Sequence, residues 1–333
     1  MSNPYWGSGF FEFFAVMAGR FWQLITGHFH SLAPDELQIA VLSAVAISCG
    51  LIGPFLVLKR MTMLANSLSH TILLGIAMAY LVASRLWGGG LFDLSTLLIG
   101  SLIAAFITAF FTEGLVRLFR LQEDASVGLV FTALFALGIT AVTLFTRDIH
   151  LGTEAVMGNV DVLQIGDLKI ASYLALGNLL AIALFYRHFL LASFDRNLAV
   201  NLGVKCGFFH FLLLFLAATT CIGAFRAVGV LLVLAFLVGP YLTARLFCHR
   251  LPWLLFWSSV VGLLASLIGV ALSRHILSVH GLALSTGGLV VFLIGLFYVI
   301  GLLFKSLIWG KLSSLTQRIL SGGSIKCEKE LQS

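Results

Sequence analysis

The chain alternates long apolar runs with short polar connectors, and the length of the runs fits a helix crossing a bilayer. A ~30 Å hydrocarbon core takes about 20 helical residues at ~1.5 Å each. Runs of that length predict nine spans, at about 37–58, 61–84, 94–116, 125–145, 170–192, 208–225, 227–247, 253–273 and 284–308, with eight to ten as the range. The runs are near-continuous and do not alternate with period two, which argues against a barrel of ~10-residue strands. The expected fold class is all-α, a polytopic transmembrane helical bundle. Residues 1–36 form an N-terminal segment, 37–310 the membrane domain and 311–333 a polar tail. Within the first segment, Phe10 to Ile25 is apolar and aromatic but carries Glu12 and Arg20. It reads as an interfacial helix, with a full span as the alternative.

Several runs are interrupted. Gly53-Pro54 and Gly239-Pro240 fall inside spans, where a proline is expected to kink or unwind the helix. Residues 208–247 are too long for one span, and Gly223, Arg226 and Gly229 supply a turn. Arg226 reads as an interfacial anchor, or as a residue lining a vestibule. Two connectors are long enough for structure of their own. Thr146 to Lys169 carries Asp148, His150, Glu154, Asp161 and Asp167, which suits partner docking, cation attraction or a solvated loop. Arg187 to Gly207 has Asp195 and Asn197 near a helix start and Gly203 as a stop. A short surface helix is expected there, and periodicity alone makes it an interfacial connector.

Charge orients the bundle. The composition is 60% hydrophobic and 10% charged, with a mean hydropathy of +1.06. The net charge of +6 could suggest nucleic acid, but the excess sits in connectors. With Lys59-Arg60 placed on the cytoplasmic side, alternating connectors bring fourteen of the 20 lysines and arginines there, a positive-inside asymmetry. The C-terminus is then cytoplasmic, and nucleic acid is not an expected partner. The five cysteines stand singly, with no C-x-x-C pair, and read as small apolar fillers.

The candidate chemistry lies in Phe55 to Leu81, FLVLKRMTMLANSLSHTILLGIAMAYL. His70 follows Arg60 by ten residues, ~15 Å of helix, near mid-bilayer. Thr62, Asn66 and Ser69/His70 repeat at helical spacing as one polar stripe. Polar groups at that depth are costly and usually face a bundle interior or a water-filled path. Read alone, His70 is better taken as a core histidine bonded to a neighbouring helix, because few intramembrane histidines bind metal. There is no G-x-x-x-x-G-K-[ST] loop, no H-E-x-x-H helix and no G-x-S-x-G elbow. A permease, not an enzyme, is the expected class, and the chain is not expected to bind ATP itself in the P-loop manner.

Three blocks carry a resemblance to a known family. The first is Phe55–Leu81, similar to the pattern L-V-L-R-R-M-x-L-x-x-D-x-L-S-H-x-x-L-P-G-I-A. The second is EDASVGLVFTALFALGI, Glu123 to Ile139, followed by VMGNVDVLQIGDL. The third runs from FDRNLAVNLGV through AVGVLLVLAFLVGPYLTARLF, ending at Phe247. Together they resemble the permease subunit of ATP-binding-cassette importers for manganese, zinc or iron, over roughly Ile39 to Leu302. The resemblance implies a bacterial inner-membrane protein that binds no permanent cofactor and translocates a divalent metal ion. It implies as partners a cytoplasmic ATP-binding-cassette ATPase, a second permease subunit, an external metal-binding protein and the surrounding lipid. Phe194, Asp195, Leu198, Ala199, Leu202 and Gly203 would belong to the helix that couples to the ATPase, and Asn66, Ser69 and His70 would line the metal pathway.

One position departs from the pattern. The family's carboxylate, four residues before the histidine, is Asn66 here. Asn keeps a carbonyl ligand but loses the charge that favours a hard dication. The expectation is a non-identical second permease that supplies the missing carboxylate. The alternatives are an importer of a metal chelate or vitamin, and an ion-coupled secondary transporter. The latter predicts an intramembrane carboxylate relay, for which Glu113 is the marginal candidate.

Overall fold

The computed structural model describes residues 4–5, 9–25, 33–63, 67, 71, 74–75, 77–79, 81–82, 94–145, 160–194 and 196–307. All regular structure among them is helical. The helices are α1 (Phe10–Ile25), α2 (Pro34–Leu58), α3 (Leu94–Phe119), α4 (Glu123–Phe145), α5 (Ile165–Phe194), α6 (Arg196–Asn201), α7 (Cys206–Val228), α8 (Val230–Arg245), α9 (Leu251–His280) and α10 (Thr286–Leu307). A 3-10 turn, Val160–Val162, precedes α5. Between α2 and α3, the described residues of 62–82 are helical almost throughout. Six helices are long and apolar enough to cross a membrane, and α8 and part of α4 are shorter apolar helices. With the 62–82 segment, this is the expected polytopic bundle of about nine spans.

Local chemistry sets the helix ends. Pro34 opens α2, where a missing N–H costs nothing, and the Ala33 N–H donates to the Glu36 carboxylate at 2.9 Å. At its other end Arg60 adopts a left-handed φ of 60°. The α5 start repeats the device: the Gln164 N–H donates to Asp167 Oδ2 at 2.9 Å. Asp167, read from sequence as part of an acidic loop, therefore caps a helix.

Two expectations about breaks need correcting. Neither Gly53-Pro54 nor Gly239-Pro240 unwinds; α2 and α8 continue through them. The glycines serve close packing instead. A Cβ on Gly53 would sit 2.1 Å from the Leu237 carbonyl oxygen, and one on Gly239 2.2 Å from Ile294 Cγ2. A non-helical residue does occur inside a spanning helix at Phe185 of α5, with φ −108° and ψ 16°. The turn expected from Gly223, Arg226 and Gly229 reduces to Gly229 alone. Its φ of 84° and ψ of 161° suit a residue without a Cβ, and its N–H donates to Phe225 O at 2.8 Å.

Contacts give the direction of each helix. Ala46 meets Gly262 and Gly50 meets Ser259, so α2 and α9 are antiparallel. Phe189 packs on Phe209, Asn178 Nδ2 donates to Thr220 Oγ1 at 2.7 Å, and Leu174 approaches Gly223, so α5 and α7 are antiparallel. Glu113 meets His210 while Leu102 and Ala105 lie by Ala218, so α3 runs against α7. Leu232, Gly239 and Leu246 meet Gly287, Ile294 and Gly301 in order, so α8 and α10 are parallel. The helix α2 lies at the centre, against α5, α8 and α9. It is apolar nearly all round, and most of its residues from Leu37 to Leu56 are buried by these neighbours. Small residues at its crossings let backbones approach, which is how helices associate where burial from water no longer helps.

The end of the bundle carrying Asp35 is closed by polar contacts. Arg274 of α9 pairs with Asp35, itself 1% exposed, with Nε–Oδ1 at 3.1 Å. Asp161 accepts from Thr286 Oγ1 at 2.5 Å and from Gln38 Nε2 at 3.5 Å. Tyr5 donates to Glu36 at 2.8 Å, and Arg20 pairs with the same carboxylate. Burial and that carboxylate push the Tyr5 hydroxyl pKa well above its usual value. Phe10 at one end of α1 meets His275, and Arg20, ten residues on, meets Glu36 at the level of the Asp35–Arg274 pair. Two points ~15 Å apart on α1 thus touch one level of the bundle. The helix lies across the ends of α2 and α9, not alongside them.

Candidate functional site

The polar stripe was expected at Asn66, Ser69 and His70, and all three lie outside the described residues. Their described neighbours define one face of the segment. Ser67, Thr71, Gly75 and Ala79 recur at i+4, and Ser67 and Thr71 are buried. A Cβ on Gly75 would fall 2.6 Å from the Gly100 carbonyl oxygen, and one on Gly100 would fall 2.4 Å from Ala79 Cβ. This face is therefore sealed against α3. On the other side, Gly138 of α4 brings its backbone against Leu74. The Ser67 hydroxyl is buried without a hydrogen-bond partner. No group of three or more His, Cys, Asp or Glu side chains able to hold a metal occurs among the described residues.

The second candidate is α6, between α5 and α7 at the end of the bundle that carries Lys59. Asp195 lies outside the described residues, and the helix runs Arg196–Asn201. Gly203 ends it with a φ of 77°. The Gly203 N–H donates to Val200 O at 3.0 Å and the Val204 N–H to Ala199 O at 2.9 Å. These two bonds make a Schellman closure, with glycine at the left-handed position where L side chains are strained. Ala199 is fully buried, whereas Phe194, Leu198, Val200 and Leu202 are 64%, 47%, 58% and 62% exposed. A rigid six-residue helix is thus tied inward by one small side chain and presents apolar side chains outward. Arg226, the weaker vestibule candidate, falls in the last turn of α7, and its side chain lies outside the described residues.

Sequence reading missed one polar pair near α6. His210 Nε2 lies 3.2 Å from Glu113 Oε2, and Arg117 Nε donates to Glu113 Oε1 at 2.5 Å. The Glu113/Arg117 spacing of four was visible in the sequence. Nothing in the pattern pointed to His210, ninety-seven residues away.

About nine apolar helices, crossings built on glycine and alanine, and a short helix with exposed apolar side chains between two spans define a multi-pass membrane protein. The chain belongs to the ABC 3 transport family, whose pattern matches residues 35–305. It is 40% identical over 299 residues, 89% of this chain and 93% of the other, to a probable metal transport system membrane protein of Chlamydia muridarum. It is 36% identical over 239 residues, 68% of this chain and 78% of the other, to the manganese transport system membrane protein MntD of Bacillus subtilis. In fold it is similar to PsaBC from Streptococcus pneumoniae, solved in complex with a Fab. That match has a TM-score of 0.67 and 24% identity, covering 86% of this chain and 95% of that one.

Proposed function

We propose that this chain is the membrane-spanning subunit of an ATP-driven importer for a divalent transition metal. The observation that carries the reading is the family match across nearly all of the helical bundle, with relatives named for metal and manganese transport. ATP is hydrolysed on separate cytoplasmic ATPase subunits that dock on Phe194, Leu198 and Leu202 of the α6 region, and an external binding protein delivers the ion to the opposite end. The Lys59 end is cytoplasmic, as the clustering of basic residues there supports, and the membrane is a bacterial inner membrane. Helix α1 then lies at the external interface, which its transverse placement and exposed Phe11 and Trp22 support. Asn66, Ser69 and His70 line the ion path, and a second, non-identical permease supplies the carboxylate that Asn66 lacks.

The test is ATP-dependent uptake of Mn²⁺, Zn²⁺ and Fe²⁺ into vesicles holding this chain, its ATPase and the second permease. His70→Ala is expected to lower uptake at least tenfold while the ATPase still co-purifies, and Asn66→Asp to change the order of metal preference. Normal uptake by His70→Ala would remove the second span from the ion path.

A further inference from the structure

Two consecutive residues in the second turn of α7 face different parts of the bundle. Phe209 stacks on His188 at 4.7 Å and 13°, and meets Phe189, which meets Phe55 of α2 at 5.6 Å. His210 faces α3 and reaches Glu113. In the tautomer that carries its proton on Nε2, His210 donates to the Glu113 carboxylate. Lys59 and Arg117 are the other charges close enough to act on His210. The Glu113 and His210 side chains are 21% and 23% exposed. Groups so shielded stay polar at little cost only while they are paired.

The pair joins two units. On one side, the Schellman closure locks α6 to Val204, and only Lys205 separates that residue from α7. A displacement of α6 therefore reaches α7 and His210 through a link of two residues, Val204 and Lys205. On the other side, the 62–82 segment, α3 and α4 are held together through Gly75, Gly100 and Gly138. Among the described residues, the substantial contacts of α3 beyond this unit are with α7. Further along the same seam is an apolar gap lined by Leu102, Ala105 and Ala109 of α3 and by Phe211, Leu214 and Ala218 of α7. Beside this small gap Ala105, Ala109, Leu214 and Ala218 are buried and Phe106 meets Phe211 at 6.5 Å, apolar contacts that have no preferred direction. The directional contact across this seam is thus the hydrogen-bonded pair at its Lys59 end.

We propose that Glu113 and His210 form the link through which motion of α6 is transmitted to the unit containing residues 62–82. This rests on the reading of α6 as the ATPase-docking helix. Both are positioning residues: they contact neither ATP nor metal, and they keep hydrolysis productive by making the second unit follow α7.

The experiment measures Mn²⁺ taken up per ATP hydrolysed by the assembled transporter in vesicles. Glu113→Leu and His210→Leu are expected to leave hydrolysis within twofold of wild type and to lower uptake tenfold or more. The double variant should be no worse than either single one, as expected for two members of one contact. His210→Gln, whose amide can donate to the same carboxylate, should keep most of the uptake. Phe110→Leu, on an exposed part of α3, should match wild type. Loss of hydrolysis and uptake in equal proportion would make the pair a packing feature, and a wild-type ratio in both leucine variants would make it idle; either overturns the proposal. Should leucine prevent assembly, His210→Gln decides, since an uncoupled glutamine variant contradicts a link made by this hydrogen bond. Failure of the importer reading itself shows separately, as a wild-type transporter that takes up no Mn²⁺, Zn²⁺ or Fe²⁺ with ATP.

Discussion

Gly53→Ala sets two physical effects of opposite sign against each other. In a helix interior, alanine is favoured over glycine by about 1 kcal/mol. Local propensity therefore predicts a more stable α2. The tertiary structure predicts the reverse. The added Cβ would stand 2.1 Å from the Leu237 carbonyl oxygen and 3.1 Å from its carbon, where ordinary contact begins at 3.4 Å. Both obstacles are backbone, so no rotamer change relieves them, and α2 and α8 must part by about 1 Å, at an overpacking cost of about 1–3 kcal/mol. The parting also loses a backbone Cα–H···O approach worth about 0.5–1 kcal/mol. The net expectation is a loss of about 0.5–3 kcal/mol, at roughly 1.5 °C of unfolding temperature per kcal/mol for a chain of this length. Gly114→Ala, in α3 with nothing within 4 Å of its Cβ, is the control and should be neutral or slightly stabilising. The assay is the fraction of purified protein that stays monodisperse after stepwise heating. A Gly53→Ala protein as stable as Gly114→Ala would refute the packing argument.

Two further outcomes follow from other contacts. Arg274→Leu takes the guanidinium away from the buried Asp35 carboxylate and should cost up to about 3–5 kcal/mol, whereas Asp35→Leu with Arg274→Leu should cost less, because the buried charge goes with its counter-charge; thermal unfolding that ranks the double variant below the single one would contradict this. Leu198→Glu with Leu202→Glu changes two exposed side chains and should lower ATPase co-purification at least tenfold while leaving bundle stability nearly unchanged; full retention of the ATPase would take the docking surface away from α6.

The α6 region was legible because its signals are local: a polar start, apolar positions and a glycine stop all fall within ten residues. The structure gives Gly203 the left-handed φ that such a stop requires. The Glu113–His210 pair was only half legible, since Arg117 is a helical neighbour of Glu113 but His210 reaches it from another helix. The same limit explains the glycine-proline pairs. A proline predicts a missing hydrogen bond, but whether the helix opens there depends on what packs against it.

The all-helical class, about nine spans and the charge polarity of the connectors were determined by sequence alone, because crossing a hydrocarbon layer demands long apolar runs whose backbone groups bond within the run; the helix lengths were not, since α8 has 16 residues and α5 and α9 have 30 each. The tertiary structure alone decided that Gly53 and Gly239 are contact points, that Gly229 by itself separates α7 from α8, and that Asp161 and Asp167 bond and cap rather than stand free. It also decided which way α1 lies. Those outcomes depend on which helices become neighbours, and in a bundle whose helices are apolar nearly all round, no periodicity along the chain says which face meets which partner.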